Sequence, residues 1–215
     1  MRTGASGLPA VSGPASIHDP THSTAVAADD GAVRFWSLDS EGANALLGEL
    51  SCGNAPVRGL ASFSSGGEDW LASVGDDSCV RLWSTGREAT LWRTLRGHED
   101  WIRTVCIYRD GGRWMIATGG DDRLLRLWEA FGPDESSVAA YSGHINSIRG
   151  LTSFSSKDGV TVASTSDDGS IRLWRRGSGQ IAHIDAHKAS GLGICTLGIC
   201  AGSWLLRVYQ RMTRL

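Results

Sequence analysis

The phrase TSDDGSIRLW, residues 165–174, occurs in this chain in four closely related versions. The other three are AADDGAVRFW at 27–36, VGDDSCVRLW at 74–83 and GGDDRLLRLW at 119–128. Each version has two adjacent aspartates and ends in apolar–Arg–apolar–Trp. The tryptophans therefore recur at steps of 47, 45 and 46 residues. A period of this length indicates a repeat architecture, in which each unit is one small structural element.

The amino-acid composition argues against several classes of function. The chain has 215 residues, of which 41% are hydrophobic and 20% are charged, as in ordinary globular proteins. Its 21 basic and 23 acidic residues give a net charge of −2, so there is no basic surface for nucleic acid and no polybasic run for a membrane. The N-terminus MRTGASGLPAVSG lacks the apolar core of a signal peptide, and no stretch is long enough for a membrane-spanning helix. We expect a cytoplasmic protein that binds neither nucleic acid nor membranes.

The cysteines do not form a recognisable framework. There are five of them, and an odd number without close pairs is a poor pattern for disulfides or for zinc. We expect them to be small apolar side chains within strands. The sequence predicts no metal and no other cofactor.

Residues 143–174 and the turn after them illustrate one unit. Short β-permissive segments at 148–154, 160–164, 171–174 and 180–185 are separated by the turn clusters SSKDG, SDDGS and RRGSG. The segments VRGLASFSS (57–65) and IRTVCIYRD (102–110) match IRGLTSFSS (148–156), and VSGPASI (11–17) is a fainter copy. Four short antiparallel strands form one twisted sheet, which is too small to bury both of its faces alone. Such sheets must stack on one another.

These features resemble the WD40-repeat β-propeller family. The resemblance rests on the four aspartate–tryptophan phrases and on the pairs Gly97-His98 and Gly143-His144, whose histidines each precede the tryptophan of their unit by 30 positions. It extends over roughly residues 11–206. It implies an all-β fold in which four-stranded antiparallel blades build a propeller, with four full repeats and the start of a fifth.

The predicted organisation is an N-terminal tail at 1–10, a partial propeller at 11–206 and a divergent C-terminal tail at 207–215. The repeats are placed at about 11–50, 51–95, 96–142 and 143–185, with a partial repeat at 186–206. WD40 propellers usually close with more blades, and an open arc would expose apolar sheet faces and a strand edge. We therefore expect either a piece of a longer propeller or self-association through open propeller edges.

In the WD40 family, a histidine, a second-strand hydroxyl, a turn aspartate and the third-strand tryptophan form a hydrogen-bonded structural tetrad. The resemblance implies two complete sets, namely His98, Thr118, Asp122 and Trp128, and His144, Ser164, Asp168 and Trp174. It implies partial sets in the first two units, namely Asp30 with Trp36, and Ser73 and Asp77 with Trp83. The first unit has Val26 in the hydroxyl position, and the second has CGN at 52–54 in place of Gly-His. We expect these two blades to be held less tightly.

Paired aspartates near histidines also raise the alternative of acid–base catalysis or metal binding. The motif recurs in every unit, whereas one active site needs a single copy, so a structural interpretation is favoured. His187 is either a degenerate third Gly-His site or a lone catalytic histidine, and we favour the first. The sequence contains no nucleophile elbow, phosphate-binding loop or HExxH motif. We predict no catalytic residue.

Two regular series of arginines accompany the repeats. The arginines of the first series lie two positions before each tryptophan, and we expect them to bury their stems and pair with an acid. They are Arg34, Arg81, Arg126 and Arg172. Those at the start of each first strand are Arg58, Arg103 and Arg149, with Ser12 in the first unit. In WD40 propellers this position lies on the upper face near the central channel. With Trp101, these three arginines form a partner-binding hypothesis; the alternative is a solvated rim of salt bridges within the protein.

The sequence thus predicts a non-catalytic scaffold that presents a propeller face to other proteins or to other domains of a larger assembly. The alternative is a truncated fragment of a longer multidomain WD40 protein with no independent activity. An enzyme that uses the propeller channel would need one blade with distinctive polar residues, and none stands out. Fold alone does not identify a partner.

Overall fold

The structure, a computed structural model, describes residues 23–37, 45–85, 89–133, 135, 137–185, 193–200 and 203–209. These residues form seventeen strands. The described part contains no helix that could cross a membrane. The strands are β1 Ser23–Ala27, β2 Ala32–Ser37, β3 Leu46–Ser51, β4 Val57–Ser65, β5 Glu68–Gly75, β6 Cys79–Ser84, β7 Thr90–Arg96, β8 Ile102–Asp110, β9 Arg113–Gly120, β10 Leu125–Glu129, β11 Ala139–Tyr141, β12 Ile148–Ser156, β13 Gly159–Ser166, β14 Ser170–Arg175, β15 Gly179–Asp185, β16 Gly193–Cys200 and β17 Ser203–Tyr209.

The strands form antiparallel sheets in chain order, one for each repeat. Blades 2, 3 and 4 are four-stranded sheets of β4–β7, β8–β11 and β12–β15. Blade 1 has the three described strands β1–β3, and blade 5 has the two described strands β16 and β17. The all-β propeller architecture predicted from the repeats is confirmed: in blades 2, 3 and 4 the tryptophan of the phrase lies on the third strand, and in blade 1 it lies on the middle one of the three described strands.

The core lies between the faces of neighbouring blades. Val80 and Leu82 of blade 2 pack in one cluster with Ile102 and Trp128 of blade 3. The same relation recurs between blades 3 and 4 and between blades 1 and 2. Trp83, Trp128 and Trp174 are buried within these interfaces, as are apolar residues of the second strands of blades 2, 3 and 4. The stacking that a single small sheet requires is therefore present.

The first strands of blades 2, 3 and 4 each contain a β-bulge at the same position. In blade 2, Val57 pairs with Gly75 and Gly59 pairs with Val74, so Arg58 is the extra residue. Arg103 and Arg149 are the extra residues of the other two blades. A bulge redirects the side chain of the extra residue out of the alternating pattern of the strand. The three arginines that the sequence singled out therefore share one unusual backbone setting.

Several predictions from the sequence fall outside the described residues. These are the tail at 1–10, the first strand VSGPASI at 11–17 with Ser12, and His187. At the other end, β17 continues to Tyr209, so residues 207–209 belong to a strand although the sequence analysis assigned them to the C-terminal tail.

Candidate functional site

A chain of hydrogen bonds joins four side chains in blade 3. Trp128 Nε1 donates to Thr118 Oγ1 at 2.8 Å, and Thr118 Oγ1 lies 2.7 Å from His98 Nε2. His98 Nδ1 lies 2.7 Å from Asp122 Oδ2. Because the carboxylate can only accept, Nδ1 donates to it, and the Thr118 hydroxyl, which accepts the indole N–H, has its own hydrogen left for Nε2. Each buried polar atom of the chain thereby has a partner.

Blade 4 repeats this chain with a serine in place of the threonine. Trp174 Nε1 donates to Ser164 Oγ at 2.7 Å, and Ser164 Oγ lies 2.7 Å from His144 Nε2. His144 Nδ1 lies 2.8 Å from Asp168 Oδ2. The hydroxyl of Ser170 also bonds to Asp168, at 2.7 Å. The two complete sets of residues named from the sequence are thus each brought together.

The aspartates of both hydrogen-bond chains have lowered pKa values. Burial raises the pKa of Asp122, but hydrogen bonds from His98 and from backbone N–H groups outweigh burial and leave the pKa below its ordinary value. The same balance lowers the pKa of Asp168, where burial is opposed chiefly by Ser170 and His144. Burial lowers the pKa of His144, opposed in part by Asp168. At neutral pH the pair in blade 4 is therefore an anion beside a neutral imidazole.

The glycine before each histidine packs against the tryptophan that belongs to the same hydrogen-bonded set of side chains. A Cβ atom added to Gly143 would lie 3.1 Å from Trp174 Cη2 and 2.9 Å from an Arg172 nitrogen. At Gly97 the contact with Trp128 Cη2 would be 3.3 Å, and its φ of +154° favours glycine as well. The Gly-His pair therefore serves close packing by the glycine and hydrogen bonding by the histidine.

In blade 2, other residues occupy the places of the missing histidine. Trp83 Nε1 still donates to Ser73 Oγ at 2.9 Å, and Cys52 Sγ lies 3.5 Å from the same hydroxyl. The turn aspartate Asp77 pairs with Arg81 at 2.5 Å. Burial raises the pKa of the Cys52 thiol, so it stays protonated. A buried thiol and an arginine thus divide the contacts that one histidine makes elsewhere.

Blade 1 shows the same exchange at the turn aspartate. Asp30 Oδ2 accepts a hydrogen bond from Arg34 at 2.6 Å. Val26 lies opposite Arg34 in the register of β1 and β2, as the hydroxyl residues lie opposite their arginines in other blades, and it is 48% exposed. Trp36 lies on β2, half-buried. Asp30 and Trp36 therefore lie on one hairpin without the hydroxyl that links the other sets.

The sequence predicts that every arginine before a tryptophan pairs with an acid; among the described residues such a partner is present in blades 1 and 2 and not in blades 3 and 4. Arg34 and Arg81 pair with the turn aspartates. Arg126 instead donates to Ser137 Oγ, and Arg172 donates to Gln180 Oε1. The reason is competition, because in blades 3 and 4 the histidine already occupies the aspartate. The absence of Gly-His in the first two units was the sequence signal for this exchange.

A ladder of ion pairs runs across the blades at the ends of the first strands, formed by alternating aspartates and bulge arginines. Each arginine binds the first aspartate of its own pair, at 2.6 Å in all three blades. Each also reaches the corresponding aspartate of the preceding blade, at 2.8, 3.6 and 3.5 Å. The order of the ladder is Asp29, Arg58, Asp76, Arg103, Asp121, Arg149 and Asp167. These contacts correspond to the second interpretation of the arginines given above, a rim of salt bridges within the protein.

Sequence reasoning located these arginines but missed their partners. In blades 2, 3 and 4 the arginine precedes its aspartate by 18 residues, which is a constant spacing that could have been read from the sequence. The two adjacent aspartates therefore have separate partners. In blade 3, Asp121 joins the ladder and Asp122 joins the histidine chain.

The ladder and the histidine chains lie under one surface, which we call the upper face. It consists of the loops 52–56, 97–101 and 143–147 and the turns 28–31, 76–78, 121–123 and 167–169. Backbone bonds fix each loop to a turn, as when Asp121 N donates to the carbonyl oxygen of Trp101 at 2.9 Å. Trp101 and Ile145 are 44% and 78% exposed in these loops. The upper face thus combines rigid loops with exposed apolar side chains.

Two observations on the described part of the chain bear on the alternative of catalysis or metal binding. No group of three histidine, cysteine or acidic side chains there could hold a metal ion. A cleft between blades 1 and 2 is lined by apolar residues, including Phe35, Leu60 and Trp70, and by several hydroxyl side chains. Its acidic lining residue, Asp69, accepts a hydrogen bond from Ser64 at 2.5 Å.

Comparison with known proteins gives two findings. A family model described as "WD domain, G-beta repeat" matches residues 44–84, 89–129 and 135–175, which together are more than half of the chain. The nuclear distribution protein PAC1-1 of Uncinocarpus reesii (strain UAMH 1704) is 38% identical over 93 residues. That similarity covers 43% of this chain and 20% of the relative, so the matched part spans about a fifth of the relative's length.

Proposed function

The chain belongs to the WD40 repeat family, and on that basis we propose that it is a non-catalytic scaffold that binds another protein through its upper face. WD40 proteins are generally scaffolds that bind other proteins. The observation that carries the proposal is the exposure of Trp101 and Ile145 on loops whose backbone is already fixed. Large apolar side chains in fixed positions lose little entropy on binding and are typical of interaction hot spots.

Trp101 is the proposed contact residue, and the bulge arginines support it. The guanidinium of Arg103 lies 4.6 Å from the centre of the Trp101 ring. Arg103 is held by Asp121 and Asp76, so the indole rests on a cation that is itself fixed. In this proposal Arg58, Arg103 and Arg149 contribute to partner binding mainly by keeping the loops of successive blades in register.

Site-specific photo-crosslinking tests the proposal. A photoreactive amino acid replaces Ile145 on the upper face, and a matched variant carries it at Lys157, an exposed turn residue at the other end of blade 4. We expect a discrete adduct from Ile145 and none from Lys157, and the adduct should disappear in the Trp101→Ala variant. Equal labelling from both positions, or an adduct that survives Trp101→Ala, would contradict the assignment of this face.

The role of the chain within a larger assembly is tested by its mass in solution. Light scattering after size exclusion should give a sharp species at a whole-number multiple of 22.9 kDa if the chain acts as a scaffold by itself or by self-association. Broad aggregates would instead support the alternative, a fragment of a longer multidomain WD40 protein.

We propose a cytoplasmic location as part of the same function. Cys52, Cys79 and Cys106 are unpaired thiols, as is usual in reducing compartments. Fractionation of cells that express the chain would test this, and recovery in a membrane or secreted fraction would contradict it.

A further inference from the structure

We propose that the partner of the upper face presents a lysine or arginine side chain to a corner formed by Glu99, Asp100 and Trp101. This inference rests on the proposed scaffold function and adds the chemistry of the partner. Three free arginines on this face would select an acidic partner. The ion pairs of the ladder reverse that expectation.

The first step is the charge of the ladder. It contains four aspartates and three arginines, and an aspartate stands at each end. Each arginine contacts two carboxylates within the chain. The side chain of Asp29, at one end, is 84% exposed. The ladder therefore carries a net negative charge, of which Asp29 is the most exposed part, and its arginines have little capacity left for an acidic ligand.

The second step is the charge of the loop in blade 3. Glu99 and Asp100 are both exposed and directly precede Trp101. The backbone N–H of Glu99 donates to Asp122, and that of Trp101 donates to Asp100 Oδ1 at 2.8 Å. These bonds fix the backbone of the loop and leave the carboxylate of Glu99 and the second oxygen of Asp100 for a cation. Two neighbouring exposed carboxylates on a fixed backbone attract a lysine or arginine.

The third step is the indole ring between these groups. Arg103 covers one side of Trp101, and the residue is nonetheless 44% exposed. A lysine or arginine stem packs well on such an exposed ring, with its charge over the π face or beside an acid. In the corresponding loop of blade 4, Ile145 is 78% exposed and supplies an apolar contact. The expected ligand is thus a basic segment that also carries an apolar side chain.

Fluorescence anisotropy with defined peptides tests this inference on the full chain. The probe is a fluorescein-labelled peptide that alternates arginine and leucine with glycine, and its counterpart has glutamate in place of arginine. The Glu99→Lys/Asp100→Asn variant removes the acidic charges and keeps the side-chain acceptor of Asp100. The matched control is Glu68→Lys/Asp158→Asn, which makes the same charge change at exposed residues of the opposite face.

We expect the arginine peptide to bind and the glutamate peptide to bind at least about tenfold more weakly. The upper-face variant should weaken binding of the arginine peptide about tenfold, because the corner loses both of its charge partners, whereas the control should change binding by less than about twofold. Equal losses in the two variants would show attraction by net charge alone and overturn the inference. Preference for the glutamate peptide, or no binding of the arginine peptide, would overturn it as well.

The crosslinking experiment keeps this inference separate from the scaffold function. If Ile145 forms an adduct with an acidic segment of the partner, the scaffold function stands and the proposal of a basic ligand is contradicted. The absence of any adduct would contradict the scaffold function itself.

Discussion

Replacing Thr118 with valine isolates the energetic role of the hydroxyl at the centre of the blade 3 chain. Thr118 Oγ1 accepts the Trp128 N–H and donates to His98 Nε2. Valine has nearly the same shape, so the change leaves two buried polar atoms without partners and creates little cavity. Each such atom costs about 1–3 kcal/mol, so Thr118→Val should lower the free energy of unfolding by about 2–6 kcal/mol.

Two other hydroxyls provide graded comparisons. Ser73→Ala in blade 2 removes the acceptor of Trp83 and only a weak contact with the Cys52 thiol, so about 1–3 kcal/mol is expected. Thr165 is also buried in a second strand, but its hydroxyl has no hydrogen-bond partner within the described structure. Thr165→Val should therefore be neutral or slightly stabilising, within about 0.5 kcal/mol.

Urea unfolding measures these differences, followed by tryptophan fluorescence and by circular dichroism. The two signals should give coincident transitions and unchanged slopes, so that shifts of the midpoint report stability. The reasoning predicts the order Thr118→Val, then Ser73→Ala, then Thr165→Val, from most to least destabilising. Equal losses at Thr118 and Thr165 would show that the cost comes from removing any buried hydroxyl and would refute the hydrogen-bond chain as its source.

Three further predictions follow from the same contacts. Because the pKa of His144 is lower in the folded protein than the unfolded value of about 6.5, the unfolded state takes up the proton first as the pH falls. The free energy of unfolding should therefore decrease as the pH drops below about 6.5. In urea midpoints measured against pH, His144→Gln should remove that part of the dependence. Burial raises the pKa of the Cys52 and Cys79 thiols, so both should react with a thiol reagent only as the protein unfolds, and fast labelling of Cys52 in the native state would contradict the packing of blades 1 and 2. Arg103→Ala leaves two aspartates of the ladder without their shared cation and should cost about 2 kcal/mol by urea unfolding; a change below about 0.5 kcal/mol would show that the ladder is only a surface feature.

Much of the fold could be predicted because each blade repeats the same phrase. A residue such as Trp83 has a counterpart about 46 positions away in the neighbouring units, so strand order, turn positions and the stacking of sheets follow from the period. The members of the histidine chains could be named for the same reason. The partners of Arg126 and Arg172 could not, since a side chain with several donors binds whichever acceptor remains, and that depends on whether a histidine already holds the aspartate.

The sequence placed Arg58, Arg103 and Arg149 at equivalent positions of successive units and left open whether they bind a partner or form salt bridges within the protein. The structure shows the salt bridges. The charge of the arginines is compensated by aspartates that lie 18 residues further along the same blade and on the blade before. Contacts between blades depend on how the sheets stack, which the period implies but does not describe. The β-bulge that redirects each arginine toward the neighbouring blade is likewise a backbone feature that no single residue indicates.

The paired aspartates of each phrase explain how a chain of small sheets is held in register. The second aspartate is held within its own blade by an ion pair with an arginine, or by a hydrogen bond from a histidine of the segment that enters the blade, so it fixes the blade internally. The first aspartate is shared between the arginines of two successive blades, as Asp76 is between Arg58 and Arg103, so it fixes one blade relative to the next. Both aspartates lie in one turn, and a displacement of that turn would disturb both sets of contacts. Because the exposed loops of the upper face are bonded to the same turns, the network that aligns the blades also determines the geometry of the surface that a partner would meet.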